Sequence, residues 1–279
     1  MAREQSISGA AASLHLSQPT LSTQLKALEE ELGKQLLIRG TKGSRKVLLT
    51  EEGMLLRKRA EEILELVQIT EREISLSDEV VAGDVYIGAG ESDMIRLFAR
   101  AAKQLQAKYP DIHYHVRSGN AAFVQDYLDR GLIDFGVVYG PVDTSIYSSV
   151  KVPVHDTWGV LMRKDAPLAD KEYIQPQDLW DKPLIVSAQK ADNWSLTKWF
   201  ERDYAKLNIV ATYNLVFNAS LMVEEGLGYA LCFDQLINVS GDSPLCFRPL
   251  SPTMRSEASI IWKRYQVFSK ASECFLKQL

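Results

Sequence analysis

From Val85 onward, short apolar runs alternate with longer amphipathic stretches, and that alternation leaves few folds open to the chain. Val85-Tyr86-Ile87-Gly88 reads as a strand, Met94 to Tyr109 as a helix stopped by Pro110, and Ile112 to Val116 as a second strand. Ala121 to Arg130 reads as a helix and Ile133 to Val138 as a third strand. Strands separated by helix-period stretches imply crossover connections, and hence a parallel or mixed α/β sheet. The pattern continues through Trp158 to Met162, Leu184 to Ser187, Leu196 to Lys206, Tyr213 to Phe217, Leu221 to Glu225 and Tyr229 to Phe233, with no internal repeat.

Ahead of Val85 the periodicity is helical. Ile7 to Leu16 is a small-residue helix in which Ala10, Ala11 and Leu14 suit close packing on a crossing helix. Ser17 can cap a second helix, and Pro19 is tolerated in its first turn because no intrahelical N–H is lost there. Leu21, Leu25, Leu28 and Leu32 then fall on one face, leaving Thr20, Ser22, Thr23, Gln24 and Lys26 on polar faces. Gly33 ends the helix. Leu36 to Arg39 and Val47 to Thr50 flank the Gly-rich basic tip Gly40 to Lys46, two short strands around a wing. Thr50-Glu51-Glu52-Gly53 opens a long helix in which Leu56, Ala60, Ile63, Val67, Thr70 and Ile74 form a coiled-coil seam, a dimerisation helix.

At 279 residues, 24% charged and 46% hydrophobic, the chain has room for two globular domains. Its net charge of -4 conceals an asymmetry: residues 1–59 hold ten Lys/Arg against six Asp/Glu, and the remainder 22 against 30. A basic head on an acidic body directs only the head towards a polyanion. No apolar run approaches the ~20 residues needed to cross a bilayer, and Met1 to Ser6 lack the apolar stretch of a secretion signal, so a cytoplasmic protein with no membrane partner is expected. Cys232, Cys246 and Cys274 have no CxxC spacing and read as buried or idle thiols; a redox switch between Cys232 and Cys246 is the weaker alternative.

The segment Ser13 to Gly53 resembles the LysR-type transcriptional regulator signature, through Leu16-Ser17-Gln18-Pro19-Thr20-Leu21-Ser22 with Leu25, Leu28-Glu29, Leu32-Gly33, Leu36, Arg39, Leu49-Thr50 and Gly53. The effector half is similar too, at Val85 to Gly88, Leu128 with Gly131-Leu132-Ile133-Asp134, Pro167-Leu168, Pro183-Leu184-Ile185 and Gly226 to Ala230. The resemblance implies an all-α winged helix-turn-helix head over residues 1–50, a linker helix over 51–79, and a two-lobed, periplasmic-binding-protein-like α/β effector domain over 80–279. Family members carry a further Leu- and Phe-rich helix before Ile7, packing beneath the recognition helix. Since this sequence begins at that helix's last turn, Ala2-Arg3-Glu4, the head is expected to be incomplete and its apolar faces partly uncovered. Thr23 also stands where many relatives carry arginine, which alters base preference.

On that resemblance, Gln18, Pro19, Thr20, Ser22 and Thr23 enter the major groove of promoter DNA, Ser17 and Lys26 also bind DNA, and Arg39, Lys42, Arg45 and Lys46 meet phosphates or the minor groove. A small-molecule effector would lie between the lobes, at strand ends and helix starts: Glu91, Ser92 and Asp93, then Ser118 and Asn120, Ser187 and Gln189, and Asn218 and Ser220. The same Ser, Asp and Asn residues are also favoured helix caps. Glu91 and Asp93 disfavour an anion and suit an amine or hydroxyls. The family implies a homodimer or homotetramer, contact with RNA polymerase, and no cofactor.

Other classes fit less well. A transport solute-binding protein needs export and no wing, and no nucleophile triad or paired carboxylate points to an enzyme. His113 and His115 share a strand face without a third metal ligand, and Trp194 and Trp199 read as helix packing. The remaining alternative is a truncated regulator that senses a ligand or dimerises without binding DNA.

Overall fold

A computed structural model describes residues 1–39, 47–75, 81–188 and 196–279, the side chains of residues 39, 72, 73 and 75 excepted. The chain divides into two compact units, Met1–Ile74 and Ser75–Leu279.

In the first unit, α1 (Ile7–Ser13) starts at Ser6, whose hydroxyl accepts from Gly9 N at 3.2 Å. α2 (Gln18–Leu32) is capped by Ser17, carries proline in its first turn and ends at Gly33, where a φ of 63° suits glycine. Ala10 and Ala11 pack on Leu21, and Leu25 joins Leu36, Leu37 and Val47. Those partners reach only the first half of the leucine face: Leu28 and Leu32 stay 39% and 47% exposed, and Leu14, expected to pack, is 57% exposed.

β1 (Leu37–Arg39) and β2 (Val47–Leu49) pair antiparallel, Leu37 opposite Leu49. Thr50 then locks the start of α3 (Glu51–Ser75): its hydroxyl accepts from Gly53 N at 2.9 Å and donates to the Gln35 carbonyl at 2.7 Å. Backbone hydrogen bonding at the helix start and Lys34 at 3.4 Å hold the exposed Glu52 carboxyl below its ordinary range. Ile63, Val67 and Ile74 of the expected seam are exposed, so α3 carries an apolar stripe that its own unit leaves uncovered.

The second unit is a nine-stranded mixed sheet with strand order β4-β3-β5-β11-β6-β9-β7-β8, and β10 also on β6. β3 (Gly83–Ala89), β4 (Ile112–Ser118) and β5 (Phe135–Tyr139) run parallel, linked by α4 (Ile95–Lys108) and α5 (Ala121–Asp129). β7 (Leu184–Ser187), β8 (Ile209–Tyr213) and β9 (Tyr229–Phe233) form a second parallel set, followed on the β8 side by α7 (Val216–Glu224); the short α6 (Pro176–Leu179) precedes β7. β6 (Tyr147–Arg163) belongs to both sets. Its first part pairs with β11 (Arg255–Lys263), and its last part lies between β9 and β10 (Leu245–Pro249). Two lobes therefore hang on one long strand.

Each lobe has its own core. Phe98, Phe135 and Phe275, the last from α8 (Lys270–Gln278), stack at 5.8–5.9 Å in the first lobe, each ring contributing about 1.5–3 kcal/mol through burial. Leu184, Leu196, Phe200 and Leu231 centre the second. The apolar run Trp158 to Met162 proves to be the end of a longer strand, whose earlier part alternates with exposed polar residues and so lacks a run. The helix expected over Leu196 to Lys206 is helical over 196–200, with a separate 3₁₀ turn at Tyr204–Lys206. The run expected over Tyr213 to Phe217 straddles the end of β8 and the start of α7.

Gly53 marks the tightest approach in the head, for a Cβ there would lie 2.1 Å from the Leu36 carbonyl oxygen. Gly53→Ala must displace backbone, and is expected to destabilise the head by about 1–3 kcal/mol. A lowered first melting transition in far-ultraviolet circular dichroism, with tryptophan fluorescence unchanged, is the expected readout, since all five tryptophans lie at or beyond residue 158.

Candidate functional site

The polar face of α2 is ordered by its own cap. Ser17 Oγ accepts from Thr20 N at 3.2 Å and meets Thr20 Oγ1 at 2.7 Å, while Gln18 Oε1 accepts from Ser8 at 3.1 Å. Thr23 donates to the Pro19 carbonyl at 3.0 Å, and Lys26 lies 3.4 Å from Glu30. Ser17 to Thr20, Thr23 and Lys26 are exposed and Ser22 is half-buried, opposite the buried Leu21 and Leu25. A rigid helix start thus presents donors and acceptors outward. The Arg39 side chain and Lys42, Arg45 and Lys46 lie outside the described residues.

In the second unit the carboxyl ends of the two parallel strand sets face one cleft, where open α/β sheets bind ligands. From the first lobe come Gly90 and Glu91 after β3 and Tyr139 at the end of β5; from β6 comes Trp158. The other lobe contributes Ser187, Tyr213, Asn214, Val216, Phe233 and Leu236. The space they enclose is about 40 Å³, enough for water but far below the ~300 Å³ of an ordinary ligand pocket. The cleft is narrow.

What spans it is a contact across the lobes. α7 begins after Leu215, a residue with no side-chain oxygen to cap the helix. Glu91 Oε2 supplies the missing acceptor from the opposite lobe, taking the Val216 N–H in a short hydrogen bond. A carboxylate at a helix N-terminus also meets the positive end of the dipole.

Behind the cleft, buried Asp156 on β6 accepts from Ser92 Oγ at 2.7 Å and from Tyr139 OH at 2.5 Å. Trp158 Nε1 donates to Ser256 Oγ at 2.9 Å on the neighbouring β11. The loop after β3, the end of β5 and the strand shared by both lobes are thereby tied together.

Of the residues expected at the effector site, Glu91 and Ser187 line the cleft. Ser92 faces Asp156 instead, Asp93 pairs with Arg96 at 2.5 Å, and Asn120 caps α5 by accepting from Phe123 N at 2.9 Å. Ser220 donates to the Phe217 carbonyl at 2.7 Å, Ser118 and Asn218 are exposed, and Gln189 lies outside the described residues. Tyr139, Trp158, Tyr213 and Phe233 line the cleft without any sequence signal beyond standing at the ends of apolar runs.

The thiols are placed against a switch. Cys232 on β9 sits opposite Gly159, and Cys246 on β10 sits opposite Met162 on the other side of β6. Two strand spacings of about 4.8 Å, plus three residues along the strand, exceed the ~7 Å that a disulfide spans. Burial, with Asp234 nearby, pushes the Cys232 thiol up to about 12, and burial raises Cys246 as well. Exposure of the native chain to hydrogen peroxide should therefore yield no Cys232–Cys246 bridge in non-reducing peptide mass spectra.

Among the described residues no group of three or more His, Cys, Asp or Glu is placed to hold a metal ion; His115 pairs with Asp84 at 2.8 Å and stacks on Tyr86. No helix of the described residues is long and apolar enough to cross a membrane.

Residues 1–54 match the bacterial regulatory helix-turn-helix protein, lysR family, and residues 78–279 match the LysR substrate binding domain. The chain belongs to the LysR family of transcriptional regulators, with a DNA-binding helix-turn-helix and an effector-binding domain, and is not an enzyme. The HTH-type transcriptional regulator YfeR of Shigella flexneri is 24% identical over 98% of this chain and 88% of its own length. The dual regulator OxyR of Escherichia coli (strain K12) is 31% identical over 63% of this chain and 57% of its own. Among solved structures, CbnR in complex with its target DNA superposes with a TM-score of 0.75 at 16% identity, covering 98% of this chain and 92% of that one. Full-length OxyR from Pseudomonas aeruginosa gives a TM-score of 0.60 at 24% identity, covering 99% and 95%. These likenesses show the two-part fold.

Removing the Asp156 carboxylate leaves two hydroxyls facing an emptied buried site. Asp156→Ala should cost the effector domain about 2–4 kcal/mol, read as a lower urea midpoint by tryptophan fluorescence.

Proposed function

We propose that the chain is a ligand-responsive regulator that reads promoter DNA with the start of α2 and holds a small-molecule effector in the cleft between the lobes. The observation that carries the DNA half is the capped start of α2, exposing Gln18, Pro19, Thr20 and Thr23 opposite a buried leucine face. Gln18 is suited to an adenine edge and Thr20 to a thymine methyl; the basic residues of the wing add phosphate attraction with little sequence information. A narrow cleft at converging strand ends, spanned by the Glu91–Val216 hydrogen bond, supports the effector half. The uncovered stripe of α3 supports pairing of linker helices into a homo-oligomer, through which cleft occupancy would alter promoter and RNA polymerase contact.

A second reading, a regulator that senses or dimerises without binding DNA, draws on the exposure of Leu14, Leu28, Leu32, Leu48 and Met54 in the head. One experiment separates the two. Duplexes enriched by the protein from randomised DNA are titrated in fluorescence anisotropy; Gln18→Ala should weaken binding about tenfold, with the effector-domain melting temperature unchanged. Failure to enrich any duplex sinks the DNA-binding reading in favour of the second.

A further inference from the structure

The cleft's chemistry goes further than its location. The polar tips of three lining rings are turned into the protein: Tyr139 OH donates to Asp156 at 2.5 Å, Trp158 Nε1 to Ser256 at 2.9 Å, and Tyr213 OH to the Leu231 carbonyl at 2.7 Å. Held in this way, the rings turn their own donors away from the cleft they line, which leaves Ser187 and Asn214 as its neutral polar side chains among the described residues. Phe233 completes the wall, 5.3 Å from Tyr139 and 4.6 Å from Trp158 between ring centroids. Among the described residues of the lining there is no Lys, Arg or His, and the charged side chain is Glu91.

The helix N-terminus that would attract an anion is already occupied by that same carboxylate. A carboxylate oxygen has more than one lone pair, so Glu91 can cap α7 through Oε2 and still present Oε1 to a cation. An ammonium against a carboxylate and aromatic faces gains both charge pairing and attraction to the ring quadrupoles, the latter strengthened where water is excluded.

The geometry points to a small organic cation, an alkylammonium, as the cleft ligand, held by the Glu91 carboxylate beside the rings of Tyr139 and Phe233. This rests on the reading of the cleft as the effector site. Because the space is about 40 Å³, the ligand enters by separation of the lobes.

The test is a thermal-shift titration of the full chain in phosphate buffer at constant ionic strength, with tryptophan fluorescence as the readout. The probes are n-propylammonium chloride, tetramethylammonium chloride and sodium propionate. The ammonium probes should raise the melting temperature by about 2–4 °C near saturation, and propionate should leave it in place. Glu91→Gln keeps an oxygen for the Val216 N–H while removing the charge, and Phe233→Leu removes one aromatic wall; each should abolish the shift. A shift with propionate that grows in Glu91→Gln overturns the cation class and leaves the cleft as the site. Silence from both ammonium probes also overturns the class, while the cleft reading stays open to neutral metabolites. An ammonium shift that neither variant alters moves binding out of the cleft and removes both readings.

Discussion

The effector domain depends on one long strand shared by two lobes. β6 leaves the first sheet near Thr157 and enters the second by Trp158, while its neighbour β11 has an irregular register between Glu257 and Ser259 just beside that crossing. A β-bulge re-aims strands and increases local twist, which suits the junction of two sheets whose strand ends must converge. Asp156 stands at this junction, with Ser256 opposite it in the ladder. Its bonds to Ser92 and Tyr139 fix the position of two cleft-lining segments relative to the strand itself. The cleft therefore inherits its geometry from this strand, and the lobes are joined both by β6 and by the link from β10 to β11.

To those connections the Glu91–Val216 bond adds a modest force across the cleft, beside the ring contact of Tyr139 with Phe233. A carboxylate capping a helix contributes on the order of 1–2 kcal/mol, through its hydrogen bond and the dipole together. A contact of that size is readily rebalanced by a ligand, since a differential affinity of a few kcal/mol is enough to shift a two-state equilibrium. The choice of Leu215 at the cap position is what makes the contact interlobe. A serine or aspartate there would satisfy the helix within its own lobe and leave Glu91 without a partner in the backbone. Local helix chemistry and interlobe geometry are thus one feature.

Much of this was legible in the chain, for reasons that can be stated residue by residue. The apolar runs of β3 and β5 mark strands buried on both faces and so are continuous and plain, whereas β4 at the sheet edge keeps several residues exposed. Some signature residues turn out to be architectural: Asp134 accepts from Tyr86 N at 2.8 Å across the sheet, and a Cβ on Gly228 would meet the Pro183 carbonyl at 2.4 Å. The first half of β6 gave no such signal because most of its residues are exposed, and its partner β11 lies about a hundred residues further along the chain. Effector residues were legible only as positions. Ser92, Asn120 and Ser220 have the residue types of both a cap and a ligand contact, and only coordinates distinguish a hydroxyl facing Asp156 from one facing the cleft. The aromatic wall was hidden because Tyr139 and Phe233 look like the last residues of ordinary core strands.

The two buried thiols of this chain belong to its core. Peroxide sensing through a disulfide needs two thiols within bridging distance, at least one of them readily ionised. Here the two buried cysteines flank β6 on opposite sides, and the medium that keeps them apolar also keeps them protonated. The interior of β6 and its neighbours serves as core, and the cleft chemistry stands at the strand ends, where Glu91 and the aromatic side chains line one space. That division follows from the fold: a sheet interior tolerates little beyond close-packed apolar volume, whereas the loops at its carboxyl edge can change charge and shape without disturbing the ladder beneath.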